Sequence, residues 1–345
     1  MAMDLPVRRS RLPLVATDRP LALPHLESER DPFRFLGYET PRVDPHTLPL
    51  RRSWTGSRPL GSGPAAERKT IAGWHAAGLV VALGGDRTAE PAAVVVVSPH
   101  PDDAQLAVGG LLAARGGRVV DVFTEETWTR RPYYVERPEL SASLLLAEER
   151  IACRVLGVEL ALLGHVDGAA RPPWTDDVFL TEPALGTPQD VEPELFATLV
   201  ADLAGAIPPA GPVLTPLAVG GHVDHVLSRE AVLALVRAGR LDAARVVFYE
   251  DMPYSVFGDA VAAAAALAAR ADIGELRPVL VPNGTAEVKR EALWAYRLQT
   301  TEGMILRVVR YGQRLAPDHG FAERLWLWLW RDGSATGLIE RDQDS

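Results

Sequence analysis

Val94-Val95-Val96-Val97-Ser98-Pro99-His100-Pro101-Asp102-Asp103 runs directly from a β-branched stretch into a histidine and two adjacent carboxylates. Four consecutive valines closed by Ser-Pro read as a strand buried on both faces, the kind found in parallel sheets covered by helices. In open α/β sheets ligands bind at the carboxyl ends of strands, so these polar residues stand where chemistry is expected. Pro101 lacks an amide proton and suits the first turn of a helix. Asp102 and Asp103 are then expected at a helix amino terminus, where the dipole favours their ionised forms. His100 and Asp103, three residues apart, can converge on one metal ion, while Asp102 points elsewhere and stays free to act as a base. An Asp-Asp pair here could equally be a capping turn.

The same grammar continues outward. Gln105 to Arg115 reads as a helix ended by Gly116-Gly117, and Arg118 to Thr124 as the next strand. A helix from about Leu140 to Leu156, a strand from Val158 to Leu163, a helix over Pro193 to Ala206 and a short strand at Val213 to Thr215 follow. Then come a helix at Asp224 to Ala238, strands at Ala244 to Tyr249 and Val279 to Val281, and a late helix from Ala286 to Gln299. Leu325 to Trp330 alternates Leu and Trp, as suits a strand buried on both faces or an edge covered by other chain. The expected fold class is α/β, Rossmann-like, with a mostly parallel sheet flanked by helices and an irregular N-terminal extension.

That extension, residues 1–88, holds 10 of the 28 prolines and one clear helical pattern around Glu67 to Ala77. It also contains Phe33, Phe35, Tyr38, Trp54 and Trp74, so it is expected to pack on the body. Residues 89–335 form the expected catalytic domain and residues 336–345 a polar tail.

Composition narrows the function classes. The 345 residues are 47% hydrophobic and 23% charged, a globular balance. The longest apolar stretch, Ala260 to Ala269, is half of the roughly 20 residues a membrane-spanning helix needs. No signal-peptide pattern opens the chain, so a cytoplasmic location and no membrane partner are expected. A net charge of −9 argues against nucleic acid as a partner. Residues 1–90 carry 13 Lys/Arg against 10 Asp/Glu, so the acidic excess lies wholly beyond them. Only Lys69 and Lys289 are lysines, a skew that points to a GC-rich genome. The single cysteine, Cys153, sits among apolar helix neighbours and reads as core. Any metal must therefore be held by His and carboxylate.

Gly220-Gly221-His222-Val223-Asp224-His225 supplies the second half of such a site. Two histidines three apart at a strand-to-helix junction can address one point, and Asp224 between them can orient an imidazole. His25, His46, His75, His165 and His319 have no partners at ligand spacing and read as structural or surface residues. Two nitrogen donors and one carboxylate, with a fourth position open for water, make up a hydrolytic zinc site. The expected chemistry is attack of an activated water on an amide carbonyl, with Asp102 taking the proton and His222 stabilising the oxyanion.

These residues resemble the PIG-L/LmbE family of zinc-dependent N-deacetylases, whose motifs are His-Pro-Asp-Asp after the first strand and His-x-Asp-His near the middle. Here they stand as His100 to Asp103 and His222 to His225, with Gly109-Gly110, Glu148 to Gly157, Leu163 to Gly168 and Lys289 to Gln299 as supporting matches. The resemblance covers Ala92 to Gln299. It implies one zinc bound by His100, Asp103 and His225, Asp102 as general base, His222 polarising the carbonyl or assisting the leaving amine, and Asp167 near sugar hydroxyls. The chain departs from the family at Ala104, where many members are acidic, and at Leu145, where many carry an arginine. The second departure implies that the acceptor is recognised differently from simple amino sugars.

The loop Thr124 to Arg137 offers Trp128 and Tyr134 as residues that could stack on a sugar, and Tyr249 to Tyr254 is a similar rim. The reading is a zinc-dependent hydrolase of linear amides. It removes an N-acyl group, expected to be acetyl, from an amino sugar or glycosylated small molecule, in keeping with natural-product biosynthesis. Two alternatives stay open: an amidase acting on a larger acyl-amide conjugate, and a nucleotide- or sugar-binding α/β protein without catalysis. Oligomeric state is not legible.

Overall fold

The valine run forms strand β1 (Val95–Ser98), and every one of its residues is buried. In this computed structural model the described residues are 19–22, 34–35, 38–39, 59–76, 80–83, 94–130, 132–175, 177–180, 187–282, 286–318 and 320–329. Chain order then gives α1 (Asp103–Arg115), β2 (Arg118–Asp121), α2 (Pro138–Leu156) and β3 (Glu159–Leu162). These are followed by α3 (Pro193–Ala206), β4 (Val213–Pro216), α4 (Val223–Arg237) and β5 (Val246–Tyr249). The last elements are β6 (Glu275–Pro282), α5 (Ala286–Leu293), α6 (Glu302–Leu315) and β7 (Ala322–Leu329).

Seven strands make one sheet in the order β6-β7-β5-β4-β1-β2-β3. Five are parallel, from β3 to β5, and β7 and β6 add antiparallel at the far side. The strand period of two sorts side chains into two cores. Val94, Val96, Val119, Leu214, Val247, Leu325 and Leu327 pack with α1, α2, α5 and α6. Val95, Val97, Val120, Val213, Val246, Phe248, Trp326 and Trp328 pack with α3, α4 and helix Ala260–Ala268. The Leu/Trp alternation of β7 is thus a strand covered on both faces inside the sheet. One edge is β6, whose residues are all exposed or half-buried and include Pro278 and Pro282, as edge strands tolerate.

Gly117 turns the chain from α1 into β2 at φ +137°, and a Cβ there would lie 2.3 Å from the Val94 carbonyl oxygen, so only glycine fits. Gly157 ends α2 in the left-handed region at φ 72°. The late helix is shorter than the sequence pattern suggests. It stops at Leu293, and the Arg297 and Leu298 amides instead donate to Glu148 Oε1 at 2.7 and 3.1 Å. Helix α6, which the sequence reading passed over, follows. Before the domain, helix Ala65–Ala76 matches the expected pattern and buries Trp74. The side chains of Phe33, Phe35, Tyr38 and Trp54, His25, His46 and His319, and the tail 336–345 lie outside the described residues. No helix among the described residues is long and apolar enough to cross a membrane.

Candidate active site

The chain leaves β1 for β2 and β3 on one side, then returns to place β4 and β5 on the other. The gap between the carboxyl ends of β1 and β4 is therefore the topological switch point where such sheets bind ligands. The two polar motifs occupy it: His100 to Asp103 after β1, and His222 to His225 after β4. His100 and His222 have ring centroids 4.9 Å apart, His100 and His225 5.4 Å, and His222 and His225 5.1 Å.

Asp103 Oδ2 lies 3.1 Å from His100 Nδ1 and 3.2 Å from His225 Nε2. The second distance is hydrogen-bond length, yet the direction is wrong for one, and His225 Nε2 remains buried without a partner. An orphaned imidazole nitrogen beside a shared carboxylate oxygen is the arrangement a cation would complete. His100, His222 and His225 can also bring three nitrogens within 4.8 Å of one another, as can His100, Asp167 and Asp224 with their ligand atoms. A metal therefore fits this donor set of nitrogen and oxygen atoms, and His100 belongs to every combination.

The remaining nitrogens are held from behind. Asp224 Oδ2 is 2.9 Å and Asp167 Oδ2 3.0 Å from His100 Nε2. Asp224 is itself fixed by the Gly168 amide at 2.7 Å and Arg171 Nη2 at 2.7 Å. Asp224 thus orients His100 across the cleft and not the imidazoles beside it in sequence. His225 Nδ1 is held by Asp251 Oδ1 at 2.6 Å, whose other oxygen accepts the Val219 amide at 2.9 Å. Sequence reading placed Asp251 only in a rim segment. The available signal was an acidic pair directly following β5, the neighbour of β4.

The helix begins at Asp103, so Pro101 lies before the cap and not in the first turn. Asp102 is the cap residue, at φ 98° and ψ −29°, and its carboxylate caps nothing. A non-glycine residue in the left-handed region costs about 1–3 kcal/mol and persists where the surroundings impose it. Here the Asp102 amide donates to Glu149 Oε2 at 3.0 Å.

Burial, reinforced by Asp103, Glu126 and Glu149, pushes the Asp102 carboxyl well above the usual range. Burial would raise Asp103 as well, but His225 and His100 outweigh it and hold that carboxyl low. Burial and the neighbouring His100 and His225 push His222 down to about 3, so its ring is neutral. Its Nδ1 accepts the Asp224 amide at 3.2 Å, which leaves the single ring proton on Nε2. Burial opposes protonation of His225, yet Asp103 and Asp251 push it up to about 9. That proton competes with a cation for the same lone pair.

A cavity of about 550 Å³ opens over these groups, lined by His100, Asp102, Asp103, Asp167 and His222 among others. Glu126, buried and pushed up to about 8 mainly by that burial, also lines it, as do Trp128 and Arg130. Trp128 is 47% exposed, with the Arg130 guanidinium 5.1 Å from its ring. Tyr134, expected beside it, is not a wall of the cavity. It is 2% exposed and packs against Leu145 and Leu298, because the loop turns into the short helix Pro132–Val135. Leu145, the position where an arginine contact was expected to be missing, is sealed in the same cluster. His75 and His165 pair with Glu291 and Asp202, each at 3.0 Å, away from the cleft.

The chain is similar to known proteins. The family model described as GlcNAc-PI de-N-acetylase matches residues 95–236. The chain is 34% identical over 232 residues to 2'-N-acetylparomamine deacetylase of Streptomyces fradiae, covering 65% of this chain and 79% of that one. It is 28% identical to the probable N-acetyl-alpha-D-glucosaminyl L-malate deacetylase 2 of Bacillus subtilis strain 168, covering 69% and 98%. Among solved structures, the zinc-inhibited form of the teicoplanin deacetylase Orf2 superposes with a TM-score of 0.51 at 22% identity, over 68% of this chain and 96% of that one. This last likeness concerns the fold.

Proposed function

The chain belongs to the PIG-L family of de-N-acetylases, and from that premise we propose that it removes an N-acetyl group from an amino sugar carried on a natural product. His100, Asp103 and His225 are the proposed ligands of one zinc ion. The observation that carries the reading is Asp103 Oδ2 lying 3.1 Å from His100 Nδ1 and 3.2 Å from His225 Nε2, beside a cavity lined by His100, Asp102 and Asp103.

Bound there, the metal supplies a Lewis acid and lowers the pKa of water toward neutrality. The chain's own residues do the rest. Asp102, with its carboxylate free of capping duty and raised by burial, takes the proton of the attacking water. His222, whose Nδ1 accepts the Asp224 amide, keeps its ring proton on Nε2 and presents that N–H to the oxygen on which negative charge develops. Asp224 and Asp251 keep His100 and His225 in register. On the outer wall, the exposed Trp128 face suits a sugar ring. Asp167 and Asp177 also line the cavity, and their carboxylates suit an acceptor rich in hydroxyl and amino groups.

The test is acetate release from a series of N-acetylglucosaminyl compounds of increasing size, 2'-N-acetylparomamine included. Activity should rise with the size of the acceptor, vanish with a chelator and return with about one equivalent of zinc. Release of a bulkier acid in place of acetate would instead mark an amidase for larger acyl groups. Asp251→Asn should weaken zinc affinity about 10- to 100-fold in competition with a fluorescent chelator, because His225 loses the carboxylate that orients it. Unchanged affinity would remove His225 from the ligand set or Asp251 from its support.

A further inference from the structure

Glu149 on α2 is fully buried, and its carboxylate gathers donors from two other parts of the chain, the start of α1 and the segment after α5. Oε2 accepts the Asp102 amide at 3.0 Å and the Tyr296 hydroxyl at 2.5 Å. Oε1 accepts Gln105 Nε2 at 2.6 Å and, within α2, lies 3.2 Å from Cys153 Sγ. None of these contacts is to His100, Asp103, His222 or His225. Its one hydrogen-bonded link to the reacting groups is the backbone of Asp102.

That link falls at the strained residue of the site. With φ at 98°, the Asp102 amide is turned out of the helix, while its carbonyl accepts the Leu106 amide at 2.8 Å and starts α1. One end of Asp102 is thus fixed by the helix and the other by Glu149, in a residue that lines the cavity. Gln105, on the first turn of the same helix, reaches the other Glu149 oxygen, so a single carboxylate grips both sides of the helix start. Tyr296 in turn fixes the carboxylate from the chain that follows α5.

We propose that Glu149 is a positioning residue for the deacetylation: it holds Asp102 in the left-handed conformation that directs the general base at the attacking water. This rests on the reading of Asp102 as the base. Loss of alignment of that order costs up to about 100-fold in rate. Glu149→Gln, which replaces one accepting oxygen by a donor, should lower kcat about 10- to 100-fold while KM and zinc content stay at wild-type values.

A double-mutant cycle with Asp102→Asn separates positioning from general support of the fold. If Glu149 acts through Asp102, then adding Glu149→Gln to Asp102→Asn leaves the residual rate unchanged. Additive losses, or a change in KM or zinc content that accounts for the lost rate, would overturn the proposal. Tyr296→Phe removes one hydroxyl from the same oxygen and serves if Glu149→Gln does not fold. It should reduce kcat in the wild-type background and not in Asp102→Asn, and equal reductions in both would also overturn the proposal. Full turnover by Asp102→Asn alone would instead remove the base reading on which this one stands.

Discussion

Asp102→Asn is expected to lower kcat by about 10²- to 10⁴-fold, the usual contribution of a positioned general base, while the purified variant keeps about one zinc per chain. The two halves follow from different atoms. Asp102 is adjacent to a proposed ligand but is not a partner of His100 or His225 in the site geometry, where Asp103 Oδ2 fills that place. Asparagine is nearly isosteric, and the backbone amide that Glu149 grips is unchanged, so the loop should keep its course. What is lost is a group able to take a proton. Metal analysis together with steady-state acetate release checks both halves. An active variant would assign proton transfer elsewhere in the cavity, with Glu126 the next carboxylate to test. An inactive variant that has also lost zinc would make Asp102 a ligand or a structural support.

The parts of this site that were legible in sequence are those whose partners are close along the chain. A valine run ending in His-Pro-Asp-Asp, and a His-x-Asp-His after a short strand, each announce a strand end with ligand-spaced donors. The parallel sheet then brings the two ends together. Residues whose role depends on a distant partner were missed or misread. Asp251 is 26 residues beyond the imidazole it orients, and Glu149 is 47 residues beyond the amide it accepts. Tyr134 illustrates the opposite error: an aromatic in a polar loop reads as a ligand wall until Leu145 and Leu298 are seen to bury it. The helical pattern of the sequence runs on to Gln299, since no local signal stops it at Leu293. The stop is set by Glu148, which draws the Arg297 and Leu298 amides from about 150 residues away. Helix α6 did carry a signal, since Ile305, Val308, Val309 and Gly312 fall at helical spacing on one buried face, with Arg307, Arg310 and Arg314 interleaved.

The other large effect lies beneath the site. Helix α1 is broken at Val108, where φ is −126° and ψ 23°, and the break frees backbone groups inside the protein. Lys289 Nζ donates to the Ala107 carbonyl at 3.0 Å and lies 2.6 Å from Glu323 Oε1. Glu323 in turn accepts the Gly110 amide on Oε1 at 2.9 Å and the Leu111 amide on Oε2 at 2.7 Å. One of the chain's two lysines and one glutamate of β7 thus satisfy the interrupted helix and each other. Lys289→Met should destabilise the protein by about 3–5 kcal/mol in urea unfolding, since it leaves a buried carboxylate without its counter-charge. Removing both charges does not restore wild-type stability here, as it can in an isolated pair, because Glu323 also holds two amides. Adding Glu323→Gln to Lys289→Met removes the unpaired charge and keeps an accepting oxygen for one amide. The double variant should therefore be more stable than Lys289→Met alone and less stable than wild type, by about 1–3 kcal/mol for an amide left unmet. A Lys289→Met protein within about 0.5 kcal/mol of wild type, the range of ordinary surface substitutions, would show that the broken helix is held by packing and not by this pair.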